Sequence, residues 1–142
     1  MSTGTPTADG ISFGPTTNGT HYISLYYHRH TSGGRPDKNY WHYAFLPPAE
    51  YSLFSDSEDG EWSDGAGHFW GVRDQGKLEL GLRGERLAKF PCPSNKSDPR
   101  HGYPVSPQLR ETDTPPDDVI QKWIDDNVID RTFGARIRRR KI

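Results

Sequence analysis

The sequence predicts an α+β fold with a mostly antiparallel sheet of four to six strands, one main helix near the C-terminus packed on it, and long loops. Three observations predict this class. Short segments of alternating apolar and polar residues are typical of strands, and only residues 119–128 keep apolar side chains at helical spacing. The 15 Gly and 12 Pro residues require many turns, which favours strands over long helices.

Two regions are predicted along the chain, an N-terminal arm and a single domain. Residues 1–20 consist largely of Thr, Gly, Ser, Pro and Asn, a composition that predicts a flexible arm. Residues 21–142 are then one α+β domain, because a chain of 142 residues is long enough to bury a single core. The only cysteine, Cys92, cannot form an internal disulfide, so packing must stabilise this domain.

Strands are predicted where the apolar residues alternate. Residues 21–30 and 40–46 form an aromatic pair, residues 68–73 and 77–83 form a hairpin, and residues 85–90 add a fifth strand. Between them, residues 49–54 are predicted as a short helical turn and residues 55–67 as an acidic surface loop.

The main helix is predicted to begin after Thr114, whose side chain offers a capping oxygen. Asp117 and Asp118 place negative charge at the positive end of the helix dipole. Asn127 is a suitable left-handed stop. Beyond it, residues 133–137 alternate apolar and other side chains, which predicts a basic edge strand at the C-terminus.

Charge is segregated along the chain although the formal net charge is only −1. Residues 50–64 contain six acidic residues and no basic one, whereas residues 131–142 contain six basic residues and no acidic one. A basic segment of this kind is typical of contact with nucleic acid or with an acidic protein surface. Alternatively, the basic segment contacts no other molecule and is a solvated tail, or it folds back on the acidic loop at residues 56–64.

The first functional hypothesis is a small non-catalytic binding module. Its partner, a protein or RNA or DNA, would be contacted by an aromatic sheet face and by the basic C-terminal strand. The acidic loop also permits the reverse role, in which its carboxylates mimic phosphate groups and block a nucleic-acid enzyme or a toxin. The predicted partner-binding residues are Tyr26, Trp41, Tyr43, Arg136, Arg138, Arg139, Arg140 and Lys141.

The alternative hypothesis is a small metal-independent ribonuclease or phosphodiesterase of the toxin type. Metal-free cleavage of RNA needs a general base, a general acid and guanidinium groups for the developing phosphorane charge. Glu85, Arg86, Arg100 and His101 are the predicted catalytic residues because they supply these groups. Adjacent residues of a strand point to opposite faces, so only one of Glu85 and Arg86 would face a shared site. The sequence favours the binding module over the enzyme.

Histidine spacing gives a weaker signal for a metal site. His28 and His30 would lie on one face of the first strand, but two ligands do not hold a metal, and a third would have to come from His42, His68 or His101. We therefore predict no metal and no cofactor. No apolar run approaches the roughly 18 residues of a membrane helix, and the N-terminus lacks a secretory signal pattern. The expected location is the cytoplasm, with no membrane partner.

Overall fold

The computed structural model describes residues 4–29 and 39–142. Within these residues the chain forms an α+β fold of two three-stranded antiparallel sheets and three α-helices. The predicted fold class is therefore confirmed. The predicted single sheet of four to six strands and the single main helix differ from what is observed, because the strands divide between two sheets and two further helices form.

The first sheet is built from the N-terminal region. Its strands are β1 (Thr5–Pro6), β2 (Gly10–Phe13) and β3 (Tyr22–Leu25), in that order and antiparallel. The sequence predicts a flexible arm for residues 1–20, but β1 and β2 pair with β3 instead. The reason is that Phe13 is buried to 3% exposure in the core, which fixes β2 against the domain.

The second sheet contains β4 (Phe69–Val72), β5 (Leu87–Phe90) and β6 (Tyr103–Val105), again antiparallel and in that order. The fifth predicted strand is confirmed as β5. The prediction that β4 forms a hairpin with residues 77–83 is wrong, because β4 pairs with β5. Of the three alternating leucines in that segment only Leu80 is fully buried, so the segment is a loop that inserts one side chain into the core.

The first helix, α1 (Pro47–Asp59), is longer than the predicted turn at residues 49–54. Two prolines occupy its first turn, where a missing N–H breaks no helical hydrogen bond. Phe54 and Ser57 are fully buried, so the second half of the helix packs on the domain although its sequence is acidic. None of the helices in the described ranges is long and apolar enough to cross a membrane.

The C-terminal segment contains α2 (Asp117–Asp125) and α3 (Arg131–Arg138). Helix α2 confirms the predicted main helix, although it begins two residues after Pro115, and Asn127 has the expected positive φ of 60°. The predicted basic edge strand is wrong, because these residues form α3. The side chain of Asp130 caps this helix by accepting from the backbone N–H of Phe133 at 2.7 Å.

The second sheet separates two hydrophobic clusters. Helices α2 and α3 cover one face, where the core contains Leu87, Trp123 and Phe133. Helix α1 and the first sheet cover the other face, where the core contains Ala88 and Tyr22. Leu87 and Ala88 are neighbours on β5, so the alternation of side chains along this strand divides the domain into its two halves.

Candidate functional site

The two C-terminal helices form an antiparallel hairpin. Near the end of α3, Arg138 donates from Nε to an Asp117 carboxylate oxygen at the start of α2 and from Nη2 to Oε1 of Gln121 at 2.8 Å. Gly134 allows the close approach, because a Cβ there would lie 2.6 Å from Cδ1 of Ile124. The hairpin is therefore held at both ends.

One surface of this hairpin is strongly basic. Phe133, Gly134 and Ile137 are the buried residues of α3, so the opposite side of the helix presents an outer face. We call this the α3 outer face; its residues are Arg131, Thr132, Ala135, Arg136 and Arg139. The three arginines are exposed, and within the described residues none of them forms an ion pair. Positive charge near the C-terminal end of a helix interacts favourably with the helix dipole, so Arg136 and Arg139 also have a structural role that needs no partner.

Two other basic side chains of this segment pair with carboxylates of the same chain. Arg138 pairs with Asp117, and Arg140 lies 3.5 Å from Glu111. Both carboxylates are largely exposed, and neither belongs to the acidic segment at residues 56–64. Exposed ion pairs of this kind contribute up to about 1 kcal/mol to the free energy of unfolding. The segment is thus partly neutralised by its own domain, while the α3 outer face stays unpaired with the described residues.

The neighbouring surface is acidic. The C-terminal end of α1 and the exposed side of α2 border a groove of about 860 Å³. Among the residues that the structure describes, Lys122 is the only basic one that lines it, and its Nζ donates to the carbonyl oxygen of Glu61 at 3.4 Å. Opposite charges therefore lie on the two sides of one hairpin. The carboxylates of this acidic groove belong to Asp59, Glu61, Asp117, Asp118, Asp125 and Asp126.

The predicted aromatic binding residues do not form one surface. Tyr26 and Tyr43 are exposed, by 47% and 63%, but Trp41 is a core residue at 1% exposure. With the described residues, residues 40–46 form one β-bridge, between Trp41 and Gly81, instead of the predicted strand. The indole of Trp41 packs in the core and not on an outer sheet face. The two tyrosines belong to segments next to β3 and α1, which cover the face of the second sheet opposite α3.

The four predicted catalytic residues lie at the two ends of β5. Glu85 and Arg86 precede the strand, whereas Arg100 and His101 are near its other end, about 13 Å away at ~3.3 Å per residue. Arg86 donates from Nη1 to the carbonyl oxygens of Asp74 and Lys77, and Arg100 to those of Gly67, Phe90 and Pro91. The two guanidinium groups therefore hold loops, and the four residues do not surround one cavity.

His101 instead lies beside His28, a pairing that the sequence does not reveal. The two rings are 6.4 Å apart between centroids and inclined by 10°, and Tyr103 stacks on His28 at 5.3 Å. Nδ1 of His28 donates to the carbonyl oxygen of Asn39 at 2.8 Å, which leaves Nε2 free to accept a proton. Burial lowers the pKa of both histidines, and their proximity lowers that of His28 further.

The predicted absence of a metal site concerns residues only partly within the structure. His30 lies outside the described residues. Among residues 4–29 and 39–142, no three His, Cys, Asp or Glu side chains come together as ligands for a metal ion. The described part of the chain thus contains a histidine pair without a third ligand.

Comparison with protein-family models, with curated proteins and with solved structures finds no match to this chain.

Proposed function

We propose that this chain is a non-catalytic protein-binding module whose interface is the α2–α3 hairpin. The observation that supports this proposal is the placement of opposite charges on the two sides of the hairpin, the α3 outer face and the acidic groove. A partner that fits both sides has an acidic stripe for the arginines and a basic stripe for the carboxylates. Such a pattern is available on a folded protein, and complementary charge steers association and fixes orientation.

A nucleic-acid partner fits this surface less well. Packed helices lie 8–10 Å apart, so phosphates bound along α3 bring others within about one Debye length of the α2 carboxylates. Like charges in an interface cost several kcal/mol and reject wrong partners. The chain also has a formal net charge of −1, which provides no long-range attraction for a polyanion. We therefore favour a protein and treat nucleic acid as an outcome of the test.

Charge reversal on the α3 outer face should weaken partner binding. A variant with Arg131→Glu and Arg136→Glu is compared with one carrying Lys77→Glu and Lys96→Glu, two exposed lysines in loops outside the hairpin, so that both change the net charge equally. The partner is captured on wild-type protein, purified and titrated by calorimetry. We expect the arginine variant to lose about 2 kcal/mol of binding free energy, which is ~30-fold in affinity. The affinity of the lysine variant should stay within about threefold of that of wild type.

The same titrations separate a protein from a nucleic acid. A fluorescent 16-base-pair DNA duplex and a 16-nucleotide RNA should not bind measurably at 150 mM salt. If either binds with a log–log salt slope near −3 or steeper, phosphate neutralisation is responsible and the protein interface is wrong. Equal affinity of the purified partner for the two charge variants, or no protein retained by wild type alone, contradicts the proposal as well.

The pairing of His28 with His101 favours a second candidate function, the metal-independent ribonuclease. In this reaction one free imidazole nitrogen removes the proton of the 2′-hydroxyl, and the 2′-oxygen forms a bond to phosphorus. The bond from phosphorus to the 5′-oxygen breaks, and the other histidine, in its protonated form, gives its proton to that oxygen. The products are a 2′,3′-cyclic phosphate and a 5′-hydroxyl, and no metal is required.

If the chain is this ribonuclease, replacing either histidine should abolish cleavage. His28→Ala and His101→Ala are each expected to lower the rate by about 10²–10⁴-fold, whereas His21→Ala, at an exposed position, leaves it unchanged. Because burial lowers the pKa of both rings, the protonated acid accumulates only below the ordinary value near 6.5. The rate should therefore peak below pH 6.5. No cleavage of labelled RNA by wild type, or equal cleavage by all three variants, removes this candidate.

A further inference from the structure

The α2–α3 hairpin itself carries the surface that its proposed partner must have. That partner needs an acidic stripe for the α3 outer face and a basic stripe for the acidic groove. A second copy of this chain brings both, because its own acidic groove can receive arginines and its own α3 outer face can contact carboxylates. The fit of two copies then depends on the length and the position of these two charged surfaces along the hairpin.

The two charged surfaces have the same length. Arg131 and Arg139, the first and last arginines of the α3 outer face, are eight positions apart in the sequence. The exposed Asp118 and Asp126 are likewise eight positions apart, and among the described residues neither carboxylate forms an ion pair. At about 1.5 Å of rise per residue, each surface extends about 12 Å along its helix. Arginines and carboxylates from two copies can therefore meet along the whole of both helices.

The positions of the two surfaces along the hairpin also agree. Helices α2 and α3 run antiparallel, and the hydrogen bond from Arg138 to Asp117 places the end of α3 beside the start of α2. Arg139 is therefore level with the first turn of α2, and Arg131 is level with its last turn. A second copy that lies alongside with its helices parallel to those of the first keeps these levels. The arginines of one copy then face the carboxylates of the other.

A buried polar group beside the acidic groove lacks a partner. Trp62 is 8% exposed, and no described residue accepts a hydrogen bond from its indole Nε1. This atom lies next to Gly60, which lines the groove, since a Cβ on Gly60 would be 2.2 Å from Nε1. An N–H group cannot accept from a basic side chain, so an occupant of the groove should bring an oxygen acceptor together with its positive charge. The α3 outer face carries both, because the hydroxyl of Thr132 adjoins Arg131.

We propose that the chain associates with a second copy of itself, with the α3 outer face of one copy against the acidic groove of the other. This inference rests on the proposed function, because it uses the same interface and names the partner. The contact pairs arginines and carboxylates that one copy leaves unpaired with its described residues. The formal net charge of −1 means that little long-range repulsion opposes the approach of two copies.

Sedimentation velocity of the full chain, at about 5 to 500 µM in 50 mM NaCl, measures this association. We expect a shift with concentration from single copies to assemblies of two or more. Because salt screens exposed charges, the association should be at least about tenfold weaker in 500 mM NaCl. A wild-type protein that stays monomeric at 500 µM, or an association that salt does not weaken, overturns the proposal.

Charge reversal on each surface tests which surfaces meet. The basic-reversed variant carries Arg131→Glu and Arg136→Glu, and the acidic-reversed variant carries Asp125→Lys and Asp126→Lys, at the end of α2 where positive charge suits the helix dipole. Each variant alone should self-associate at least tenfold more weakly than wild type. An equal mixture should associate at least tenfold more strongly than either variant alone, because the new glutamates of one meet the new lysines of the other. A mixture of folded variants, checked by circular dichroism, that does not recover association overturns the proposal.

Net charge is controlled by the variant with Lys77→Glu and Lys96→Glu, which has the same formal charge as the basic-reversed variant. It should self-associate within about threefold of wild type; a loss as large as that of the basic-reversed variant would show that net charge and not the hairpin is responsible, and would also overturn the proposal.

Failure of self-association is distinguishable from failure of the proposed function. If wild type stays monomeric but the basic-reversed variant loses affinity for a captured partner protein, the hairpin binds another protein and only self-association is wrong. If wild type stays monomeric and the captured partner binds the basic-reversed variant as tightly as wild type, the hairpin interface is wrong as well.

Discussion

Replacing Glu50 by alanine should lower the free energy of unfolding by about 3–5 kcal/mol, because it breaks a buried ion pair from one side. Glu50 is completely buried, yet its carboxylate accepts hydrogen bonds from the Tyr22 hydroxyl at 2.6 Å, the Ser24 hydroxyl at 2.5 Å and Nε of Arg29 at 2.9 Å. Burial raises the pKa of Glu50, and Arg29 and the two hydroxyls act in the opposite direction. The alanine variant leaves the two buried hydroxyls and the largely buried guanidinium group without this acceptor.

Urea unfolding followed by tryptophan fluorescence measures this loss. Glu111→Ala is the matched control, since Glu111 also pairs with an arginine, Arg140, but at the surface and with 80% of its side chain exposed. Its cost should not exceed about 1 kcal/mol. Similar midpoints for the two variants would show that the Glu50 cluster does not hold α1 against β3.

The Glu50 cluster also shows which part of this fold the sequence does not reveal. In the sequence, Glu50 is the first residue of an acidic segment, which predicts a surface position. Its burial depends on donors from β3 and the residues after it, 21–28 positions away in the chain. Local composition carries no information about such partners. The histidine pair is similar, because His28 and His101 meet only after a bridge between Tyr22 and Arg100 joins β3 to the segment before β6.

Elements with several agreeing local signals were predictable. Helix α2 combines acidic residues in its first turn with apolar residues at a spacing of three and four, and Asn127 follows its end with a positive φ, so dipole, periodicity and C-terminal stop agree. The predicted cap from Thr114 is wrong, because Pro116 precedes the helix and no described side chain caps it. Helix α3 was predicted as a strand because Phe133 and Ile137 fit a period of two as well as a period of 3.6. Eight residues are too few to separate the two periods when the remaining side chains are mostly charged.

This error changes which arginines face a partner, although the basic character of the segment was predicted. On a strand, Arg136, Arg138 and Arg140 would share one face. On the observed helix, Arg138 turns toward α2 and pairs with Asp117, while Arg131 joins Arg136 on the outer face. Composition therefore indicated the charge of the candidate site, whereas only the helical geometry selects the residues that carry it.

Replacing Trp41 by alanine should lower the free energy of unfolding by about 3–5 kcal/mol, because the indole fills the core between the two sheets. Its ring stacks on Phe45 and Phe90 at 5.6 and 6.4 Å, and its Nε1 donates to the carbonyl oxygen of Gly102 at 3.2 Å. The backbone N–H of the same residue donates to the carbonyl oxygen of His28 at 3.0 Å. The side chain and backbone of Trp41 therefore link the segments that carry the two paired histidines.

Tyr43→Ala is the matched comparison, because the sequence assigns both aromatic residues to the same binding face but Tyr43 is 63% exposed. Its free energy of unfolding, measured in urea, should stay within about 0.5 kcal/mol of that of wild type. A Trp41→Ala protein as stable as Tyr43→Ala would mean that the indole is not a core residue. If Trp41→Ala unfolds early, any loss of partner binding in this variant reflects loss of the fold, and of the three predicted aromatic binding residues Tyr26 and Tyr43 remain exposed to a partner.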